Sequence, residues 1–239
     1  FDLRGASIGN LILAGGYLNH GQRIEPVLFL FSQLVEVRGI VRAVVPDDLH
    51  LVAELADGEK VVGQHRITGK EEPPLRSRIA EIYLSSGLDS SERVSVAIDD
   101  QTRGLIRQAE LICYPIGSFF TSVLATLEPE GVGAAIAENG CPKVYVPNLG
   151  DDPELFGMSV YAQVQALLRK LRVDAGELPA RTFLDCVLVD QGRGGYSGPD
   201  DLQAIRALGI DVVDLDLITD HSAPLIDDER LVAALLSLV

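Results

Sequence analysis

With 239 residues, 47% hydrophobic and 23% charged, the chain can bury one sizeable core and is too short for two large ones. A formal net charge of -15 opposes sequence-independent binding to nucleic acid or anionic membranes. A phosphorylated ligand would therefore need a few local arginines, helix N-termini or a metal.

No apolar run approaches the roughly 18 residues of a membrane span. The opening residues predict no secretory leader, and a start on Phe1 rather than Met predicts a native N-terminus further upstream. Cys113, Cys141 and Cys186 are widely spaced and lack metal spacing, which predicts reduced thiols in a cytoplasmic protein.

In chain order, Ile8 to Leu18 reads as an apolar helix entered through Ser7, and Glu25 to Val35 as a second. Three extended runs follow, at Gly39 to Val45, His50 to Leu55 and Lys60 to Gly63. Pro46, Asp47 and Asp48 separate the first two, and Asp57-Gly58 predicts a tight hairpin between the others. The stretch from Gly69 to Ser77, with two adjacent prolines, reads as an exposed loop.

From about Val94 strands and helices alternate. Helices are expected at 99–108, 119–127, 132–139, 159–171, 199–208 and 228–238. Strands are expected at 110–114, 143–147, 183–189 and 210–214. Such alternation implies a parallel sheet covered by helices, with the early hairpin as an insertion.

Polar residues gather at the junctions. Ser7, Gly9 and Asn10 open the first helix. Ser7 serves as an N-cap, Gly9 permits close backbone approach, and the Asn10 amide needs a partner in a greasy helix. Arg38-Gly39 follows the second helix. The guanidinium can clamp a phosphate or carboxylate, and the pair equally fits a helix C-cap with Gly39 at C′.

Gly117 and Ser118, with Thr121 and Ser122, lie where a strand meets a helix. That junction suits an anion or simple capping by Ser118. Asn148 ends the strand before a turn containing Asp151 and Asp152, whose carboxylates could share Mg²⁺ or stand solvated in a turn. No Walker loop or nucleophile elbow occurs, and the four histidines have no evident catalytic partner. The glycine run at 192–198 is not a dinucleotide fingerprint, because Asp200 and Asp201 would repel pyrophosphate at the helix start. Tyr196 within it could stack on a ring.

These residues together resemble the superfamily that unites 2-phospho-L-lactate transferase with the bacterial gluconeogenesis factor. Ser7 to Ala14 is similar to the family's Ser-Leu-Gly-Asn helix. Val37 to Val41 is similar to its Val-Arg-Gly-Arg-Val, with Asp47, Asp48 and the run from Leu51 to Gly58 following. Ala109 to Ile112 with Gly117, Ser118, Thr121 and Ser122 resembles Ala-Asp-Leu-Ile…Gly-Pro-Gly-Ser-Leu-Tyr-Thr-Ser. Lys143 to Leu149 resembles Lys-Val-Tyr-Val-Cys-Asn-Leu. The family's opening glycine-rich turn and its Asp-Asp-Gly-Gly-Ser-Ser-Gly segment are absent from these residues. Met158, Ala162 and Gln163 stand where the gluconeogenesis-factor branch commonly has Tyr, Asp and His. Leu225, Ile226 and Asp227 stand where that branch tends to have Arg-His-Asp.

The resemblance implies a single α/β domain over 1–239, three-layered, with a mostly parallel Rossmann-like sheet, helices on both faces and a small β-hairpin insertion. It implies a GDP- or UDP-type nucleotide-linked ligand, Mg²⁺ and a homodimer. By analogy with the transferase branch, a hydroxyl acceptor would attack guanylyl-activated phospholactate or phosphoenolpyruvate and release GMP. Asn10, Ser118, Thr121 and Asn148 would hold phosphates or base, and Arg38 would neutralise charge developing at phosphorus. The alternative is a non-catalytic regulator that senses a UDP-sugar.

Overall fold

The computed structural model describes residues 7–69, 75–149, 152–196 and 199–239. Contacts divide the chain into two compact units, Phe1–Asp48 and Leu49–Val239.

The first unit is a helical hairpin of α1 (Ile8–Asn19) and α2 (Glu25–Leu34). Ser7 caps α1 by accepting from the Asn10 N–H at 3.0 Å. The helices approach closely at Gly16, where a Cβ would sit 2.5 Å from Val27 Cγ1. The α2 terminus differs from the expected C-cap. Glu36, at φ +53°, takes the left-handed position, and the Val37 N–H reaches back to the Ser32 carbonyl at 3.0 Å. That pattern closes the helix three residues before Gly39, so Gly39 is not its C′ residue. The expected strand at Gly39 to Val45 does not form. An extended run becomes a strand only when its N–H and C=O groups meet a ladder, and this unit has no other strand among its described residues.

In the second unit, β1 (His50–Leu55) and β2 (Lys60–Val62) form the expected antiparallel hairpin. Gly58 supplies the φ of +90° that the turn requires. The short helix α3 (Gln64–Ile67) follows, and β3 (Ile79–Ser85) pairs on the other edge of β1. The order is β2-β1-β3. Neither α3 nor β3 is evident in the sequence pattern.

The larger layer system begins at α4 (Asp100–Gln108). Four parallel strands follow: β4 (Ile112–Tyr114), β5 (Lys143–Tyr145), β6 (Cys186–Val189) and β7 (Asp211–Asp214). They lie side by side in chain order. Right-handed crossovers in that order place α5 (Val132–Glu138), α6 (Val160–Ala175) and α7 (Pro199–Ala207) on one face. Tyr145 points to that face and donates its hydroxyl to Gln163 of α6.

The opposite face, carrying Val144, Val146, Cys186 and Leu188, is covered by Leu231, Ala234, Leu235 and Leu238 of the α8 region (Asp228–Leu236). The result is the expected three-layer α/β arrangement, with a separate three-stranded antiparallel sheet. No described helix is long and apolar enough to cross a membrane.

Helix α5 can sit against α6 only because residue 133 is glycine. A Cβ there would meet the Leu171 carbonyl oxygen and the Asp174 carboxylate. Gly133→Ala should cost about 1–3 kcal/mol in urea denaturation, the usual range for overpacking. Gly140→Ala, with open space around it, should leave the midpoint near wild type.

Candidate functional site

The carboxyl ends of β4, β5 and β6 lead into loops that carry most of the polar residues singled out in the second unit. After β4, Pro115–Ser118 turns into a π-helical segment, Phe119–Leu124. Ser118 occupies its N-cap position without a side-chain capping bond. Two carboxylates from beyond β5 cap the segment instead. Asp152 Oδ2 accepts from the Phe119 N–H at 3.0 Å. Glu154 Oε2 accepts from the N–H groups of Phe120 and Thr121, each at 2.9 Å. The Thr121 hydroxyl donates to Glu154 Oε1 at 2.5 Å.

Glu154 is 1% exposed. Burial pushes its pKa above the ordinary range, and the donors from Thr121 and Phe120 only partly offset this. The groups expected to meet a ligand's phosphate at Thr121 are thus engaged by the protein's own anion.

At the end of β5, the Val146 N–H bonds the Tyr114 carbonyl at 3.0 Å and prolongs the β4–β5 ladder. Two residues on, half-buried Asn148 directs its amide Nδ2 to the Gly117 carbonyl at 3.5 Å. Asn148 and Gly117, 31 residues apart in sequence, therefore meet at adjacent strand exits. Ser122 is exposed on the helix that follows.

At the end of β6, buried Asp190 accepts from the N–H groups of Leu217 at 3.0 Å, Ile218 at 2.9 Å and Arg193 at 2.9 Å. Half-buried Tyr196 accepts a long bond from the Asp190 N–H at 3.4 Å. Desolvation raises the Tyr145 hydroxyl pKa, and Asp152 and Tyr196 raise it further through space. These three side chains from two strand exits are therefore electrostatic neighbours.

Ser7, Gly9, Asn10 and Arg38 belong to the first unit. Ser7 is used as a helix cap. The Gly9 backbone faces Phe31, whose ring atom Cζ would lie 3.9 Å from an added Cβ. The exposed side chains of Asn10 and Arg38 make no hydrogen bond or ion pair with another described residue.

The acids at these strand exits are already engaged by backbone donors. Asp152 gives one oxygen to the Phe119 N–H and the other to the Glu154 N–H, and Asp190 is shared among three N–H groups. No three His, Cys, Asp or Glu among the described residues come together as a ligand set. Asp151 lies outside the described residues. Burial lifts Cys113 and Cys186 to about 11, which leaves both thiols protonated and poor nucleophiles near neutral pH.

Sequence reasoning missed Glu154 and Asp190. The pattern Asp152-Pro153-Glu154 signals a tight turn, but nothing local shows that its carboxylates reach a helix start 33 residues earlier.

An acid whose folded pKa lies above its unfolded one holds its proton more tightly when folded. Glu154 therefore makes stability fall as pH rises from the ordinary glutamate range to the raised value. Glu154→Gln can keep both N–H bonds on its oxygen and donate its amide to the Thr121 hydroxyl. It should flatten that slope and shift stability by about 1 kcal/mol or less at neutral pH. Glu154→Ala strands buried donors and should cost on the order of 2–4 kcal/mol. Urea midpoints measured across pH 4–8, taken as roughly the carboxylate-to-neutral window, check both.

Residues 1–218 match the family model described as 2-phospho-L-lactate transferase CofD. A Thermotoga maritima protein assigned, as a candidate, to the gluconeogenesis factors is 30% identical over 216 residues, 90% of this chain and 60% of that protein. The chain thus spans about three fifths of that relative's length. The Bacillus subtilis gluconeogenesis factor is 27% identical over 248 residues, covering 98% of this chain and 72% of its own. The crystal structure of a UPF0052 family member from Bacillus halodurans superposes with a TM-score of 0.76 at 22% identity, covering 97% of this chain and 72% of that one. With the parallel sheet and its strand-end motifs in place, the chain belongs to the CofD family.

Proposed function

We propose that this protein binds a nucleotide-linked small molecule at the carboxyl edge of the parallel sheet and acts as a regulatory binding protein of the gluconeogenesis-factor kind. One observation carries the reading. Asn148 at the end of β5 is brought onto the Gly117 turn at the end of β4, at the crevice where open α/β sheets take their ligands.

The state of the acids at this edge supports binding over catalysis. Asp152 and Asp190 spend their oxygens on backbone N–H groups, and Glu154 accepts from two N–H groups and the Thr121 hydroxyl, so none of these three stands ready as a general base. The Bacillus subtilis and Thermotoga maritima relatives carry the name gluconeogenesis factor, not transferase. Tyr196 offers a half-buried ring beside the edge for stacking. Family resemblance extends the same ligand class to Asn10 and Arg38, whose side chains are exposed.

A transferase is the second reading, favoured by the description of the family model. In it an acceptor hydroxyl attacks the phosphorus of a guanylyl-activated phospholactate, and GMP leaves. Positioning and charge stabilisation dominate such chemistry.

Thermal denaturation with UDP-N-acetylglucosamine, GDP and GTP, each with Mg²⁺, tests binding. A ligand at a hundredfold its Kd should stabilise the protein by roughly 2.7 kcal/mol. Asn148→Ala should abolish the shift, and Arg38→Ala is measured in the same series. A UDP-sugar shift without turnover supports the regulator. GMP release from the guanylyl donor supports the transferase. No shift with any nucleotide overturns both.

A further inference from the structure

A cavity that Asn148 and Gly117 do not line opens on the same unit. It is a cleft of about 530 Å³, formed where the start of β1, the β2–α3 corner and the end of β3 meet the π-helical segment. Its polar lining is His50, Gln64, His65 and Thr121, and Leu84 and Leu88 contribute apolar wall. The side chains of His50, Gln64 and His65 make no hydrogen bond or ion pair with another described residue.

The corner that presents two of them is tightly built. Gly63 has φ +97°, and a Cβ there would fall 2.8 Å from His65 Cε1 and 3.1 Å from Leu88 Cδ2. Only glycine lets the chain reverse there while the imidazole lies against the backbone.

The chemistry of the lining selects a ligand class. Among the described residues no Asp, Glu, Lys or Arg lines the cleft. The Thr121 hydroxyl donates to the buried Glu154 behind it, so that wall offers an anion no donor. Leucine side chains offer dispersion to a flat ring, while an amide and two imidazoles offer both donors and acceptors to a ring edge. The volume falls within the range of small-molecule sites.

We propose that this cleft binds an uncharged, planar nitrogen heterocycle with donors and acceptors on its edge, of the size of a nucleobase with its ribose. The identification of the ring with a nucleoside rests on the nucleotide-linked ligand proposed above, but the cleft itself does not require a phosphate.

Free nucleosides separate the two proposals because they carry no phosphate. Uridine, guanosine and adenosine are titrated into the full chain, with saturation-transfer NMR and calorimetry as readouts. At least one should bind saturably. Gln64→Leu and His65→Ala should each weaken it by about tenfold, the loss expected for one hydrogen-bonding partner. Asn148→Ala should leave nucleoside affinity within about twofold, because Asn148 does not line the cleft. Gln64 and His65 are exposed, so both variants should melt with the wild type. The proposal is overturned if none of the three nucleosides binds the wild type, or if both cleft variants bind as tightly as the wild type. Loss of nucleotide binding in Asn148→Ala with nucleoside binding intact would uphold both sites. Nucleoside binding in a protein that no nucleotide stabilises would sink only the strand-edge site.

Discussion

A single buried carboxylate joins the exits of two neighbouring strands. The first turn of a helix leaves backbone N–H groups without intrahelical partners, and in parallel α/β proteins those groups often meet a ligand's phosphate. Here Glu154, from beyond β5, supplies the anion to Phe120 and Thr121, beyond β4. Asp152 does the same for Phe119. The loop after β5 is thereby fixed to the helix start after β4. That fixing also sets Asn148, between the two, against the Gly117 turn.

The same device recurs after β6, with the opposite electrostatic sign. Burial would raise the Asp190 pKa, but N–H groups of Ile218, Arg193, Leu217 and Gly192 outweigh it and hold the carboxyl below its usual range. Glu154 meets fewer N–H donors and stays raised. Two buried acids thus organise adjacent loops, and the balance between lost hydration and gained donors decides which is held ionised. Such internal capping gives inward-drawn carboxylates of a chain with a net charge of -15 a set of N–H donors, although Asp152 still adds to the raised pKa of neighbouring Glu154.

The parallel layer was legible because its periodicity and its punctuation agree. Short apolar runs end at Tyr114, Tyr145, Val189 and Asp214, within three residues of the expected ends, and amphipathic helices separate them. Asp57-Gly58 specified its hairpin locally, since the turn itself demands the positive φ. What failed depends on partners distant in sequence. Gly39 to Val45 has strand composition but no ladder among the described residues of its unit, while Ile79 to Ser85 is a strand because β1 lies beside it. The C-terminus of α2 defied the glycine rule because Glu36 accepted the left-handed conformation that Gly39 would adopt more easily. At the site, Gly117 and Asn148 were readable as strand-end residues, whereas Glu154 was not. Its role is set by side-chain reach across two loops.

Thr121 is the residue common to the capped helix start and the neutral cleft. While Glu154 is ionised, the Thr121 N–H and hydroxyl hydrogen are both directed to it, so the hydroxyl oxygen can offer only lone pairs elsewhere. The cap therefore gives one wall of the cleft a fixed acceptor character, while Gln64 and the imidazoles keep donors and acceptors available. A ring presenting an N–H toward Thr121 is matched there, and one presenting only a carbonyl is not. Protonation of Glu154 would release the hydroxyl to turn and donate. The buried acid behind the helix start thus couples the polarity of the cleft to the charge state of the loop after β5.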